Sequence, residues 1–401
     1  MPNKDAVRNN TPRSRERNTA WWNDLRIRAV LYQVLVVVAL LLIVAYLVNN
    51  TLNNLSARNI ATGLDFLGRE AGFGIGESLI EYHPANTYLR ALWVGILNTL
   101  KVSLIGIALA TVLGTLAGIA RLSSNWLVAR VAALYVEVLR NIPLLLQLFF
   151  WYSLITVALP GPPQALNPLP GMFLTNRGMY LPYPVWERTH ILMIVAMGVG
   201  LVCTWFVSRW ARHRQQRTGQ ALPIVSIGAA LIIGLPILVF LAGGMPSALD
   251  VPTLQGFNFV GGSSVSPEFT ALLAGLVFYT GTFIAEIVRG GILAVPGGQT
   301  EAGLALGLKR SLVLRLIVLP QALRVIVPPL TSQYLNLIKN SSLAVAIGYP
   351  DLVSIANTTI NQTGQAVEGI AVIMTVYLTV SLSISILMNW YNRRIALKGG
   401  R

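Results

Sequence analysis

Long apolar runs alternate along the chain with short polar or basic stretches, and the run lengths set the architecture. A helix rises about 1.5 Å per residue, so about 20 apolar residues cross the roughly 30 Å hydrocarbon core of a bilayer. Runs of this kind occur at Ala29–Val48, Trp93–Ile119, Ile191–Val207, Pro223–Leu241, Phe269–Val288 and Ile370–Trp390. Val128–Asn141 is amphipathic and stops just before Pro143, so it reads as an interfacial helix leading into a span from about Pro143 to Leu159. Glu137 and Arg140, one turn apart on it, read as a local ion pair. Leu319–Gly348 is apolar but interrupted by Pro328-Pro329 and by Asn336, Lys339, Asn340, Ser341 and Ser342, and it reads as a broken helix. The pattern predicts an all-α polytopic membrane protein of about eight transmembrane helices.

The intervening stretches divide the chain. Residues 1–28 form a basic tail, 29–48 a first helix that is retained, and 49–92 a mixed, Gly-rich external segment. Residues 93–159 and 269–395 carry two blocks of spans, separated by 160–268, which holds two further spans between Pro-rich and Gly/Ser-rich stretches. The span Trp93–Ile119 has Gly106, Ala110, Gly114 and Gly118 at four-residue intervals, a stripe that lets another helix approach; packing within the subunit is expected there.

Charge then orients the spans. Of 401 residues only 11% are charged, yet the formal net charge is +15. Spread over a soluble fold, that excess would suggest nucleic acid; here it follows the positive-inside rule. The basic clusters at 1–28, 209–217, 309–324 and 391–401 fall in segments that alternate to one side. The other side holds only Arg58, Arg69, Arg90, Arg177 and Arg188, so both termini are expected in the cytoplasm.

Nothing in the sequence suggests hydrolysis. No G-x4-G-K-[ST] loop occurs, the three histidines lack ligand spacing, and the single cysteine, Cys203, lies in an apolar run. The polar residues within apolar runs are Asn98, Lys101, Gln147, Glu286, Arg324, Asn336, Lys339, Asn340, Ser341 and Ser342. Ionisable groups at membrane depth are costly and usually face the bundle interior or water. All of these but Arg324 are candidates to line a translocation path. A transporter is therefore expected. The alternative, an ion- or proton-coupled secondary transporter, would need mid-membrane carboxylates and paired repeats, whereas only Glu286 is present, near an inner end.

One stretch stands apart. Gln299–Pro320 follows an apolar span yet carries Ala302, Gly303, Ala305 and Gly307 at helical spacing, with Glu301 near its start and Lys309-Arg310 near its end, matching a helix dipole. A bare-faced helix of this kind can lie close against another surface. Glu301-Ala302-Gly303, Gly307, nine residues and Ile317-Val318-Leu319-Pro320 resemble the E-A-A-x3-G-x9-I-x-L-P loop of ABC importer permeases, with Gly303 in place of the second alanine. Tyr135-Val136-Glu137-x-x-Arg140, then Pro143-Leu144-Leu145-x-Gln147-Leu148-Phe149, resembles the amino-acid branch of that family, departing at Asn141 and Ile142. Lys339-Asn340-Ser341-Ser342-Leu343 also matches that branch, and the long insertion resembles the general L-amino-acid permeases.

The resemblance implies a five-helix type I importer core in the bacterial inner membrane. It implies a coupling helix near 299–310 that docks on an ATPase through Gln299, Glu301, Ala302, Gly303, Gly307, Lys309 and Arg310. The implied partners are a second permease, identical or related, two cytoplasmic ATPase subunits and a periplasmic amino-acid-binding protein. ATP and Mg would be bound by the ATPase, and no cofactor by this chain.

Overall fold

The computed structural model describes residues 25–57, 62–219, 222–245 and 248–396; the basic tail lies outside the described residues. Thirteen α-helices, α1 (Leu25–Ala57), α2 (Tyr88–Ala120), α3 (Trp126–Asn141), α4 (Leu144–Ser153), α5 (Arg188–Thr218), α6 (Ile224–Ala229), α7 (Leu235–Ala242), α8 (Pro267–Leu293), α9 (Gly297–Ala305), α10 (Arg310–Val313), α11 (Leu319–Asn340), α12 (Leu352–Thr363) and α13 (Ala366–Ala396), account for most of them. Among the described residues, seven helical stretches are long and apolar enough to cross a membrane, or eight if α3 and α4 count as one bent span.

α8 is the central post, packed by α2, α3, α4 and α11. The small-residue stripe of α2 explains the closest of these contacts. A Cβ on Gly114 would lie 2.6 Å from Cβ of Ile284 and 2.8 Å from the carbonyl of Gly281, and one on Gly118 would meet Val288 at 2.9 Å. The stripe serves packing within the subunit, as expected. Where lipid is as apolar as the side chains, such close backbone approach replaces the hydrophobic effect as the source of helix adhesion.

The α3–α4 pair bends by 105°. α3 therefore runs crosswise to α4, but deeper than a surface helix: the Tyr135 hydroxyl donates to the carbonyl of Phe278, well inside α8. Leu148 of α4 seats against Gly275, and Trp151 stacks on Phe278 at 5.1 Å.

Three π-helical turns, at Leu154–Ala158, Ala230–Gly234 and Leu314–Val318, each end two residues before a proline: Pro160, Pro236 and Pro320. A proline has no N–H to donate and its ring crowds the preceding turn; widening that turn accommodates both effects. Pro328 and Pro329 do not interrupt α11, which runs unbroken from Leu319 to Asn340. That corrects the broken-helix expectation. A π turn, α10 and a terminal 3-10 segment extend it into one 38-residue rod, Arg310–Ile347.

Residues 160–265 hold the strands that the apolar pattern did not reveal. β1 (Leu166–Leu169), β2 (Met172–Thr175) and β3 (Gly178–Leu181) form an antiparallel sheet completed by β8 (Ser263–Val265). Between them, β4 (Tyr183–Pro184) pairs with β5 (Leu249–Asp250), and β6 (Thr253–Gln255) with β7 (Asn258–Val260). β3 and β8 pair Met179 with Val265 and Leu181 with Ser263, so the start and finish of the insertion are hydrogen-bonded to each other. Beyond this neck, α5 packs on the α6–α7 segment, with Gly228 against Thr204.

At the same end of the bundle, residues 62–87 cover the start of α2. Phe66, Tyr88, Leu92, Leu352 and Ile355 form a buried cluster there. α12 is held by this seam: a Cβ on Gly95 would lie 2.9 Å from Cα of Leu352, and the Thr99 hydroxyl accepts from the Leu352 N–H at 3.0 Å. The Asp351 side chain caps the helix, accepting from the Ser354 N–H at 2.8 Å. Asp351 is fully buried, and burial pushes its carboxyl up to about 7.

Candidate functional site

The Arg310–Ile347 rod carries candidate chemistry at its foot and along its upper half. At the foot lies α9. Gly303 is its one buried residue, and a Cβ there would sit 2.8 Å from Cδ1 of Ile317 and 3.0 Å from a methyl of Val313. Gly303 is therefore turned inward, against its own rod, and not outward as the sequence suggested, while Ala302 and Ala305 stay exposed.

The helix ends in a Schellman turn. The Leu308 N–H donates to the Gly303 carbonyl at 3.2 Å and the Gly307 N–H to that of Leu304 at 2.9 Å, with Gly307 at φ +77°. Gly307 is required by backbone conformation, not by a partner's approach. Gln299, Glu301, Ala302, Lys309 and Arg310 are exposed and form the outward surface. Behind α9, a cavity of about 490 Å³ is lined by Ile292, Val295, Leu304 and Val313, among others.

Higher on the rod, α11 leaves one face open, with Val325, Pro328, Pro329, Ser332, Asn336 and Lys339 exposed along it. The two prolines supply no N–H for the carbonyls of Arg324 and Val325, one turn earlier, which adds backbone acceptors to this side. A groove flanks the open face on each side. Towards α8, a cavity of about 320 Å³ is lined by Tyr279, Thr280, Phe283, Gln333, Asn336 and Asn340. Towards α13, one of about 590 Å³ is lined by Lys339, Thr375, Tyr377 and Ser381 with Ala371, Met374 and Leu378. Lys339 has no ion-pair partner among the described residues. A polar, cationic face at membrane depth is unfavourable against lipid and requires water or a partner in front of it.

The structure brings Asn336, Lys339 and Asn340 together at these grooves and assigns the other path candidates elsewhere. The Asn98 amide, fully buried, donates to the carbonyls of Glu77 and Pro350 at 2.8 and 2.9 Å, tying the outer segment to the α12 loop. Lys101 pairs with Glu77 at 2.6 Å and lies 4.5 Å from the centre of the Phe269 ring. Gln147 donates to the carbonyls of Leu139 and Ile142 at 2.8 and 3.0 Å, clipping the α3–α4 bend. Glu286 accepts from Arg121 and, at 2.6 Å, from Arg289, locking the α9-side ends of α2 and α8. The Ser341 and Ser342 hydroxyls fold back on the carbonyls of Ile338 and Lys339 at 2.7 and 2.6 Å. Asn98, Lys101, Gln147 and Glu286 thus tie separate elements together, whereas the two serine hydroxyls bond only within their own turn.

Sequence reasoning missed Gln333, although it stands three residues before Asn336 and seven before Asn340, the spacing of a single helical stripe. Tyr279 and Thr280 carry no signal of that kind; only the packing of α8 against α11 brings them to the groove.

A chain with this bundle, a short helix bracketing the foot of one rod and a polar open face above it belongs to a defined class. The family of binding-protein-dependent transport system inner membrane components matches residues 110–397, and the chain belongs to it. It is a multi-pass inner-membrane permease. It is 50% identical over 374 residues to the general L-amino acid transport system permease protein AapQ of Rhizobium johnstonii, covering 93% of this chain and 94% of that one. To the putative amino-acid ABC transporter permease protein YhdX of Escherichia coli K12 the identity is 52% over 372 residues, covering 92% and 95%. The glutamate/glutamine/aspartate/asparagine transport system permease protein BztB of Rhodobacter capsulatus is 40% identical over 427 residues, covering 98% and 99%.

Proposed function

We propose that this chain is a pore-forming subunit of an ATP-driven importer of L-amino acids, with α9 and both termini in the cytoplasm. The observation that carries the reading is the rod: one helical body joins a short helix braced at its foot to a polar face at membrane depth. Two cytoplasmic ATPases, which bind the ATP and Mg, serve the pair of permeases, and one docks on Gln299, Glu301, Ala302, Lys309 and Arg310 of this subunit. The partner, identical or related, faces the open side of α11. A periplasmic binding protein delivers substrate at the α12 end.

Closure of the ATPases pushes α9. Because Gly303 seats on Val313 and Ile317, the push moves the foot of the rod and with it Asn336, Lys339 and Asn340. Those side chains suit an amino-acid zwitterion: the amide carbonyls accept from its ammonium group, and the Lys339 ammonium donates to its carboxylate. The relatives' names, general L-amino acid and acidic or amide side chains, support that substrate class.

In the reconstituted complex, Lys339→Gln should lower uptake about tenfold, the worth of one charge-assisted hydrogen bond, with ATPase activity still stimulated by the binding protein. Unchanged uptake at normal expression would remove Lys339 from the path. Ala302→Arg should release the ATPase from the purified complex, and undiminished co-purification would refute docking on α9.

A further inference from the structure

The membrane hairpin of the insertion ends in a cationic collar that has no carboxylate partner among the described residues. Between Glu187 and Asp250 there is not one Asp or Glu, while Arg209, Arg212, His213, Arg214 and Arg217 crowd the last turns of α5. Among the described residues none of Arg209, Arg214 and Arg217 is paired with a carboxylate. Their neighbours are aromatic: Arg209 lies 4.8 Å from the Trp205 ring and Arg214 5.5 Å from that of Trp210.

α5 has 31 residues and starts beside the sheet, so at about 1.5 Å per residue these arginines lie at the opposite surface, on the side of α9. Only 6% of its apolar window is buried, and its main packing is with α6 and α7. The described residues leave most apolar side chains of the hairpin exposed.

We infer that this collar binds anionic phospholipid headgroups and that the insertion anchors the permease to negatively charged lipid. One arrangement favours lipid over an acidic protein surface: indoles and guanidinium groups lie together near the end of an apolar helix. At about 100° per residue, the two indoles, Arg209, His213, Arg214 and Arg217 all share one half of α5. Indole rings one turn before the guanidinium groups are the arrangement of a membrane–water boundary, where the ring sits among headgroups and the cation meets phosphate.

The test titrates the detergent-purified, delipidated complex with phosphatidylglycerol or phosphatidylcholine of the same chains, counting bound lipids by native mass spectrometry. The intact protein should prefer phosphatidylglycerol, and Arg209→Gln/Arg214→Gln/Arg217→Gln should lose about tenfold or more of that preference; the triple lysine variant should keep it. Equal binding of both lipids, or a glutamine variant that titrates like the parent, would overturn the proposal. So would retained lipid preference with loss of the co-purifying ATPase, which would assign the collar to a protein contact. Because these arginines also bear on topology, a second arm leaves them in place and reads tryptophan quenching by brominated forms of the two lipids. Trp205→Phe/Trp210→Phe should remove the component that responds more to phosphatidylglycerol, and its persistence would count against the collar.

Discussion

α8 and α5 are both long apolar helices, of 27 and 31 residues, yet they live in opposite surroundings. Of α8's apolar window 61% is buried within the protein, against 6% for α5, and the buried helix is the less hydrophobic of the two. In water the order would be reversed. Inside a bilayer, lipid already welcomes bulky aliphatic groups, so the interior is reserved for residues that lipid serves badly. Glycines, threonines and a carboxylate mark α8 as the centre: Gly275, Gly281, Thr280, Thr282 and Glu286 all lie on it. The centre of a membrane protein is found by its small and polar residues.

That contrast is open to direct attack. The largest effect is expected from Gly114→Leu, whose side chain would drive into Ile284 and the Gly281 backbone; a loss of about 3 kcal/mol or more is expected in a detergent unfolding assay, with uptake abolished. Glu286→Gln should cost about 2 kcal/mol, because Arg121 and Arg289 would lose the anion that joins them, read as a lower Tm of the purified complex. Asp351→Asn tests burial at the α12 end through pH. The carboxyl is raised from an ordinary 3.8 to about 7, so its protonated form is the one the fold favours. The stability it contributes is complete below the ordinary value and declines as pH rises through about 7. Stability should therefore fall between about pH 4 and 7 in the parent and stay flatter in the asparagine variant, which keeps the helix cap. The smallest effect belongs to the hairpin: Gly198 has nothing within 4 Å of a built Cβ, so Gly198→Leu should shift stability by less than about 0.5 kcal/mol. A large loss there would show that α5 is covered by something other than lipid.

Run length and charge bias made most of this architecture readable from the sequence, because bilayer thickness and the cost of charge in hydrocarbon act on each segment alone. The Gln299–Pro320 stretch was also visible, through small residues at helical spacing. What was hidden depends on which way a residue faces. Gly303 looked like an open docking surface and is a contact with Val313 and Ile317. Gln147 looked like a polar residue awaiting solute and holds a bend between two helices. Pro328-Pro329 looked like a break, but the helix continues through them. The strands of the insertion escaped because each spans two to four residues, too short for any alternation to register.

The pairing of β3 with β8 brings departure and return of the chain to one node on the rim of the bundle. Whatever grows beyond such a node is mechanically a side branch: it can lengthen, shorten or be exchanged without shifting the register of Leu148 on Gly275 or of Phe269 on Tyr349. A foreign module spliced between Pro184 and Leu249 should ride on the permease without disturbing the helices around α8.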